Sequence, residues 1–410
     1  MSTQIEFEQV IHRGCGLDVH QKTIVSTVSG IDVATETRTF GTFTSQIEEL
    51  KVWLNSLSIT HIAMESTGVY WKPVYNILEE DFKIILVNAR HIKHVPGHKT
   101  DKKDSEWIAK LLLSGLLKGS FVPAEWIREL RDLCRYKRKL IAQRVAQRNR
   151  VHKILEDANI KLASVASDIF GVTGTLIIDA LIQKQEDAEY LANLAKGSLR
   201  KKMADLKLSL QGRLTEHHRF MLSTLRDSMD SISSQIGDIE ARIETYAVEV
   251  QQEVELLQTI PGVGKETAIN MLAESGIDME VFPDHKHLAS WAGVSPGNNE
   301  SAGKKKSTRI THGNKYLKTA LVEAAWAASH TKDTYLSRKY GAIAARRGSK
   351  KALIAVAHKI VIALYYILKN KEPYLEPDDT VYQQKRKQAQ IKKSLERLRG
   401  LGVQVDIRPN

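Results

Sequence analysis

Two aspartates lie three residues apart at a predicted helix start. They are Asp101 and Asp104, in the segment GHKTDKKDSEWIAKLL. Residues i and i+3 share one face of a helix, so the two carboxylates project side by side. Like charges this close repel unless a cation lies between them. The pair therefore indicates either a cation site or an acidic helix start bridged to nearby lysines.

Two further carboxylates come at the ends of predicted strands. Asp18 interrupts the apolar pattern of GLDVHQKTIVSTV, and Glu65 closes THIAMES just before a turn. A carboxylate at the end of a buried strand is costly without a partner. With the aspartate pair, these residues can gather four carboxylates around Mg²⁺, which prefers oxygen ligands. Two such ions can hold the attacking and leaving oxygens of a phosphoryl transfer.

Composition limits the class of protein. The chain has 410 residues, enough for two or three domains, and an ordinary 42% of apolar residues. Its net charge of +12 favours a polyanionic partner. Cys15 and Cys134 are too few for a disulfide framework or a zinc site, which fits a reducing cytosol.

The sequence does not predict a membrane protein. The first residues have no apolar stretch after a basic start, so they do not form a signal peptide pattern. The most apolar run, 352–368, is interrupted by His358 and Lys359, and we expect a buried soluble helix. The expected location is cytoplasmic, with no membrane partner.

The pattern of predicted elements changes along the chain. Residues 14–95 alternate β-rich and helical runs, which predicts an α/β domain around a central sheet. The β signal disappears from about residue 121, so the expected fold class is α/β plus all-α. The predicted boundaries are 1–120 for a metal-dependent catalytic domain, 121–255 for a helical coiled-coil region, 256–372 for a helical C-terminal domain, and 373–410 for a basic tail.

Residues 222–250 carry apolar side chains at steps of three and four, as in a heptad seam. The seam consists of Leu222, Leu225, Met229, Ile232, Ile236, Ile239, Ile243, Tyr246 and Val250. The spacing predicts a coiled coil. An antiparallel helical hairpin within one chain fits it equally, because periodicity does not identify the partner helix.

Basic residues concentrate in three stretches. Residues 128–153 carry a net charge of +8, 301–318 hold six basic residues and no acid, and 338–359 hold seven and no acid. Such clusters neutralise phosphates, although solvated helix faces are the alternative. The residues expected to bind nucleic acid in the last two stretches are Lys304, Lys305, Lys306, Arg309, Arg346 and Arg347.

The segment IPGVGKETAINMLAE fits a helix-hairpin-helix, whose backbone N–H groups hold a DNA phosphate at a helix start. Gly262, Gly264 and Lys265 are its candidate nucleic-acid contacts. A plain connection between two helices is the alternative.

A serine precedes the second basic stretch. In GNNESAGKKKS, Ser301 occupies a small, flexible loop ahead of three lysines. A hydroxyl there can approach a phosphate closely, and the lysines can stabilise charge developing on phosphorus. On spacing alone Ser301 is an ordinary turn serine, with Ser295 and Ser307 as competing candidates.

These motifs resemble a known family. GLDVHQKT, AMESTGVYW and KTDKKDSEWIAKLL are similar to motifs of the DEDD transposases of the insertion-sequence-110 type, most closely its 1111 subgroup. The resemblance continues through LASWAGVSPGNNESAGKKKSTRITHGNKYLKTALVEAAW and covers nearly the whole chain. It implies a ribonuclease-H-like N-terminal domain, similar to RuvC-type Holliday-junction resolvases. Asp18, Glu65, Asp101 and Asp104 would be its Mg²⁺-binding acids.

The resemblance also implies a function. The protein would be a DNA transposase or site-specific recombinase of a bacterial insertion sequence, associated with the nucleoid. Ser301 would be the nucleophile, attached to DNA as a phosphoserine and forming one composite centre with the four acids. A structured guide RNA and a homodimer or tetramer are further implied.

Two alternative functions stay open. One is a metal-dependent Holliday-junction-type nuclease without a covalent intermediate. The other is a non-catalytic nucleic-acid-binding scaffold whose acids are salt-bridged.

Overall fold

A computed structural model describes residues 10–66, 68–88, 101–297, 299–301, 304–307, 309–310, 312–377 and 380–401. The chain divides into two compact units, Met1–Val122 and Pro123–Asn410. Each unit has its own buried apolar clusters.

The first unit is built on a five-stranded mixed sheet. Its strands are β1 Arg13–Val19, β2 Thr23–Gly30, β3 Glu36–Gly41, β4 His61–Glu65 and β5 Lys83–Val87. The strand order is β3-β2-β1-β4-β5, in which β1, β2 and β3 are antiparallel neighbours while β1, β4 and β5 run parallel. The α/β character expected of this region is confirmed, and the sheet is consistent with a DEDD nuclease-like domain.

Helices cover the two faces of this sheet. They are α1 Thr44–Ser56, α2 Trp71–Leu78 and α3 Asp101–Leu113. Because side chains alternate along a strand, Leu17 and Met64 pack with the cluster that includes α1 and α2. Ala63, which precedes Met64 on β4, packs instead with Ile108 and Leu112 of α3. The sheet is therefore a middle layer, and α3 lies alone against one of its faces among the described helices.

The second unit is helical apart from one short hairpin in its described part. Its first helices are α4 Glu125–Asp157, α5 Leu162–Val165, α6 Val172–Ile182, α7 Ala188–Asn193, α8 Met203–Ser209, α9 Glu216–Ala247 and α10 Gln251–Gln258. Short 3-10 helices occupy Gly197–Lys202 and Val248–Val250. Helices α5 to α8 fill the region 160–200 and its surroundings, where the sequence carries no clear pattern.

The heptad seam finds its partner within the same chain. Lys137 of α4 forms an ion pair with Glu240 of α9, and Arg144 of α4 donates a hydrogen bond to Ser233 of α9. The higher-numbered residue of α4 thus contacts the lower-numbered residue of α9, so the two helices run antiparallel. Ile232 and Ile236 pack on Leu140. The two long helices thus form an antiparallel hairpin, the alternative that the spacing left open; supercoiling of the pair stays a prediction.

The remaining helices of the second unit include a long apolar helix. They are α11 Lys265–Ser275, α12 His285–Trp291, α13 Lys315–His330, α14 Tyr335–Arg347, α15 Ser349–Asn370 and α16 Thr380–Gly400. The apolar helix is α15, on which α12, α13 and α14 pack. The hairpin strands are β6 Asn299–Ser301 and β7 Lys304–Ser307. Among described helices, α15 alone is long and apolar enough to cross a membrane, with a mean hydropathy of 1.7 and half of that stretch buried. Its Val356, Ile360 and Leu364 are fully buried in the protein.

Both cysteines are free and buried. Burial raises the pKa of Cys15 and of Cys134 to about 12. Because the thiolate is the reactive form, this shift disfavours a nucleophilic role for either cysteine at neutral pH.

Candidate active site

Two glycines bring β1 into direct contact with α3. A Cβ on Gly16 would lie 2.3 Å from the Ser105 carbonyl oxygen and 2.4 Å from the Ala109 nitrogen. A Cβ on Gly14 would lie 2.9 Å from Leu112 Cδ2. This face of β1 therefore contacts the backbone of α3 at Gly16 and the Leu112 side chain of α3 at Gly14.

Asp18 is the next residue on that face. Two strand residues advance about 6.6 Å, which equals four to five residues of a helix. Since Gly14 meets Leu112 and Gly16 meets Ser105 and Ala109, this spacing sets Asp18 level with the first turn of α3. That turn begins at Asp101 and contains Asp104.

Glu65 lies beside Asp18 on the neighbouring strand. The parallel register pairs Gly16 with Ala63 and Leu17 with Met64, so the following residues, Asp18 and Glu65, are level with each other. Ala63 packs toward α3, and Glu65, two residues on, shares that face. The two acids thus lie at the same carboxyl edge of the sheet and on the side that α3 covers.

Buried hydroxyl groups hold α3 against the sheet directly after its first turn. Ser105 is fully buried, and its Oγ lies 2.8 Å from Thr27 Oγ1 on β2. Thr27 Oγ1 also lies 2.9 Å from Thr37 Oγ1 on β3. Thr27 pairs directly with Gly16, so this chain of hydrogen bonds holds α3 where the glycine leaves room for it. None of these three hydroxyl residues stands out in the sequence.

Asp18 is buried and contacts a histidine. Asp18 is 9% exposed, and its Oδ2 lies 3.1 Å from His20 Nε2. The side chain of Asp101 lies outside the described part of the structure. Among the side chains that are described, no three His, Cys, Asp or Glu groups are close enough to hold a metal ion. The fold therefore brings Asp18 and Glu65 to one edge next to α3, and the complete four-acid cluster remains a prediction.

Ser301 lies at the end of a two-stranded hairpin. It ends β6, and its backbone pairs with Lys304 at the start of β7. The side chains of 301–308, which include Ser301 and the three lysines, lie outside the described residues. At the base of the hairpin, the Gly297 N–H donates to the Arg309 carbonyl at 2.9 Å, and Pro296 bridges to Ile310. Arg309 is exposed there.

Asn314 ties the base of this hairpin to the helices below it. Its N–H donates to the Trp291 carbonyl at 2.8 Å, and its Oδ1 accepts from the Tyr316 and Leu317 amides at 2.9 and 3.1 Å, which caps α13. Its Nδ2 donates to Glu274 Oε2 at 2.6 Å.

Glu274 is the centre of a buried ion cluster. It is 3% exposed, and Arg135 of α4 donates to both of its carboxylate oxygens at 2.7 Å. Arg131 donates to the Ala273 and Glu274 carbonyls at 2.9 and 2.8 Å. This bidentate pair joins α4 to the end of α11 and, through Asn314, to the base of the Ser301 hairpin. Sequence reasoning missed it, and the sole signal was one acid inside the otherwise apolar end of α11.

The other predicted nucleic-acid contacts have varied surroundings. Gly262 has φ +87°, and a Cβ there would lie 2.4 Å from the Ala328 nitrogen, so this glycine allows close packing against α13. Gly264 precedes α11, and Lys265 pairs with Glu244. Arg346 and Arg347 are exposed in the last turn of α14. Contact of these residues with nucleic acid, and a helix-hairpin-helix at this turn, stay predictions.

Comparisons with known proteins agree with the motifs. Residues 15–160 match the family model of the DEDD transposases of IS110, described as a transposase, and residues 254–341 match the transposase family IS116/IS110/IS902. These two segments contain the four predicted acids and the predicted serine, respectively.

Relatives of this chain include a transposase and a gene-inverting protein. The transposase for insertion sequence element IS1111A of Coxiella burnetii is 24% identical over 78% of this chain and 80% of its own length. The pilin gene-inverting protein of Moraxella bovis is 30% identical over 31% of this chain and 40% of its own length. An uncharacterized 43.6 kDa protein of insertion element IS110 from Streptomyces coelicolor is 29% identical over 37% of each chain. With both family models matched in order along the chain, the protein belongs to the IS110 family of DEDD transposases.

Proposed function

We propose that this transposase cuts and rejoins DNA with a divalent-metal site in its first unit and a serine nucleophile in its second. One observation carries the metal part of the proposal: Asp18 and Glu65 are level with each other at the carboxyl edge of β1 and β4, on the face that α3 covers. The family match over residues 15–160 supports the same assignment.

The donor set fits Mg²⁺. Asp18, Glu65, Asp101 and Asp104 would hold it through carboxylate oxygens, the ligands that this ion prefers. Carboxylates gathered at one edge repel each other, and a bound cation removes that repulsion. When bound, the ion polarises the phosphate and stabilises charge on the departing oxygen.

Ser301 would supply the nucleophile. Its Oγ forms a bond to a DNA phosphorus while one P–O bond of the strand breaks, and the departing strand oxygen takes up a proton. A hydroxyl of the new partner strand then attacks the phosphoserine, which restores the Ser301 hydroxyl. Lys304, Lys305, Lys306 and Arg309 would neutralise the phosphate during both steps.

The partners of the reaction would be element ends or junction DNA, target DNA and a structured guide RNA. The acid-free basic stretches 301–318 and 338–359 support a polyanionic partner. Gly262, Gly264, Lys265, Arg346 and Arg347 would add backbone contacts, and a homodimer or tetramer would be the working assembly.

A denaturing gel tests the serine assignment. The protein is mixed with Mg²⁺, junction DNA of its element and the element's RNA, and wild type is compared with Ser301→Ala. We expect a covalent protein–DNA adduct that the substitution abolishes and that EDTA prevents. Ser307→Ala is the matched control, because it removes a hydroxyl from the other strand of the same hairpin.

Other outcomes would redirect the proposal. Mg²⁺-dependent cleavage of equal extent in wild type and Ser301→Ala, without an adduct, would favour the junction nuclease. Loss of the adduct in Ser307→Ala alone would assign the nucleophile to that residue. Nucleic-acid binding without any cleavage, unchanged in Asp18→Asn, would favour the scaffold.

A further inference from the structure

An aromatic cavity of about 300 Å³ lies against α15. Lys359, Tyr366 and Asn370 line it from one face of that helix, at spacings of seven and four residues. Tyr335 at the start of α14 and Tyr374 in the segment after α15 form its other walls.

The walls of this cavity are fixed by hydrogen bonds. The Tyr374 N–H donates to Thr259 Oγ1 at 2.8 Å, and the Tyr335 N–H donates to Glu376 Oε2 at 2.7 Å. Lys371 forms an ion pair with Glu253 at 2.8 Å. The segment that follows α15 is therefore held in place at three points, and the cavity is preformed.

The tyrosine rings offer flat apolar faces. Tyr366 is 46% exposed, and its ring packs edge-on against Tyr365 with centroids 5.4 Å apart. Its hydroxyl lies 3.2 Å from His285 Nδ1, which orients the ring. The Tyr374 phenol is neutral at physiological pH, and burial raises its pKa further. Neutral rings of this kind stack on planar ligands.

Charge around the cavity is uneven. The stretch 338–359, which ends at Lys359 in the cavity wall, holds seven basic residues and no acid. Lys339 Nζ lies 5.5 Å from the centre of the Tyr335 ring. Glu372 also lines the cavity and disfavours an anion next to it. A planar ligand attached to a phosphate is thus directed with its phosphate toward Lys359.

We propose that this cavity binds one unpaired base of a nucleic-acid strand, stacked on the tyrosine rings with its phosphate near Lys359. The volume is at the small end of ligand sites, which suits a single base and excludes a duplex. Every base presents a flat face, so the site accepts bases with little regard to sequence. The inference rests on the nucleic-acid partner of the proposed function and adds a site that prefers single strands.

Equilibrium binding with 2-aminopurine oligonucleotides tests the site. Short single strands of DNA and of RNA, and a duplex of the same sequence, are titrated with wild type, Tyr366→Ala and Tyr366→Phe in EDTA. Loss of one base–aromatic stack weakens single-strand binding by about fivefold to 150-fold. We expect this loss and reduced 2-aminopurine quenching in Tyr366→Ala, recovery in Tyr366→Phe, and unchanged duplex binding. Preference for the DNA or the RNA strand identifies the source of the base.

Tyr190→Ala is the matched control, because Tyr190 is 47% exposed on α7 and lies outside the cavity. The proposal is overturned when Tyr366→Ala binds single strands no more weakly than Tyr190→Ala, when the Phe variant fails to recover, or when duplex binding falls equally. Binding in EDTA requires neither Ser301 nor the metal. A failure here therefore leaves the cleavage proposal standing, and a failed adduct assay leaves this one standing.

Discussion

The two units each bury a carboxylate, and the two carboxylates have opposite surroundings. Glu274 in the second unit is 3% exposed and accepts hydrogen bonds from Nε and Nη2 of Arg135 and from Asn314 Nδ2. Asp18 in the first unit is 9% exposed and lies beside another acid, Glu65, at an edge next to the acidic start of α3. The first carboxylate is paired with an arginine of its own chain, while the second contacts His20 and lies level with another acid, as the proposed metal site requires.

This difference separates a structural acid from a candidate catalytic one. Removing one partner of a buried ion pair leaves an uncompensated charge, so Glu274 contributes to stability only while Arg135 remains. Gathered acids gain from an added cation and lose little stability when one is neutralised, as at functional sites where stability is given up for activity. A buried carboxylate therefore predicts opposite consequences of substitution in the two units.

The largest expected effect is on activity. Asp18→Asn or Glu65→Gln removes a metal ligand, and several kcal/mol of transition-state stabilisation is lost with the ion. We expect adduct formation to fall by about 10³-fold or more, since each 1.36 kcal/mol is a factor of about ten. Adduct yield against time on a denaturing gel measures it.

The unfolding midpoint tests the same substitutions independently of DNA cleavage. Mg²⁺ that binds only the folded protein raises its unfolding midpoint, and we expect this rise in wild type but not in Asp18→Asn. Without added metal, the Asn variant should unfold at the wild-type midpoint or above it. A loss of several kcal/mol without metal would instead mean that Asp18 is a structural acid like Glu274.

The second effect is on stability. Glu274→Gln leaves Arg135 and Arg131 without their carboxylate partner, and we expect a loss of about 3–5 kcal/mol in the free energy of unfolding. Urea unfolding followed by circular dichroism measures this change. Per folded molecule, adduct formation should stay far closer to wild type than in Asp18→Asn.

Glu266→Gln is the matched control for this substitution. Glu266 pairs with Lys137 of α4 at 2.7 Å, but its side chain is 67% exposed. An exposed pair contributes about 1 kcal/mol or less, so its loss should be small. Equal unfolding midpoints for the two variants would show that burial does not distinguish them.

The comparison also shows which features the sequence could predict. Asp18 and Glu65 were visible because an acid in an apolar strand pattern is a local signal, and the seam from Leu222 onward was visible because a helix repeats every few residues. The α/β character of the first unit followed from the same local periodicities. Each of these features depends on neighbours within one or two turns of chain.

Features that depend on distant partners stayed hidden. Arg135 and Glu274 are 139 residues apart, and neither neighbourhood marks the other. The seam did not reveal that α4 is its partner, because many apolar helices fit one period. Gly262 was predicted to contact DNA. Its packing on α13 depends on Ala328, which is distant in sequence. Contacts between residues that are distant in sequence are set by the fold, so local sequence patterns do not reveal them.

The smallest expected effect tests how closely α3 must approach the acids. In Gly16→Ala the new Cβ would lie 2.3 Å from the Ser105 carbonyl oxygen, so α3 must shift away from β1. Overpacking of this kind costs about 1–3 kcal/mol, and a displacement of about 1 Å in the first turn lowers activity by up to about 10²-fold.

Gly237→Ala is the control, because nothing lies within 4 Å of its new Cβ in the middle of α9, and helix propensity predicts a gain of up to about 1 kcal/mol. Urea unfolding and adduct yield are measured on both variants. Because the shift moves Asp101 and Asp104 together relative to Asp18, extra Mg²⁺ should restore part of the activity of Gly16→Ala and leave Gly237→Ala unchanged. Wild-type activity in Gly16→Ala would show that the acids of α3 need not lie against β1, and would separate the aspartate pair from Asp18 and Glu65.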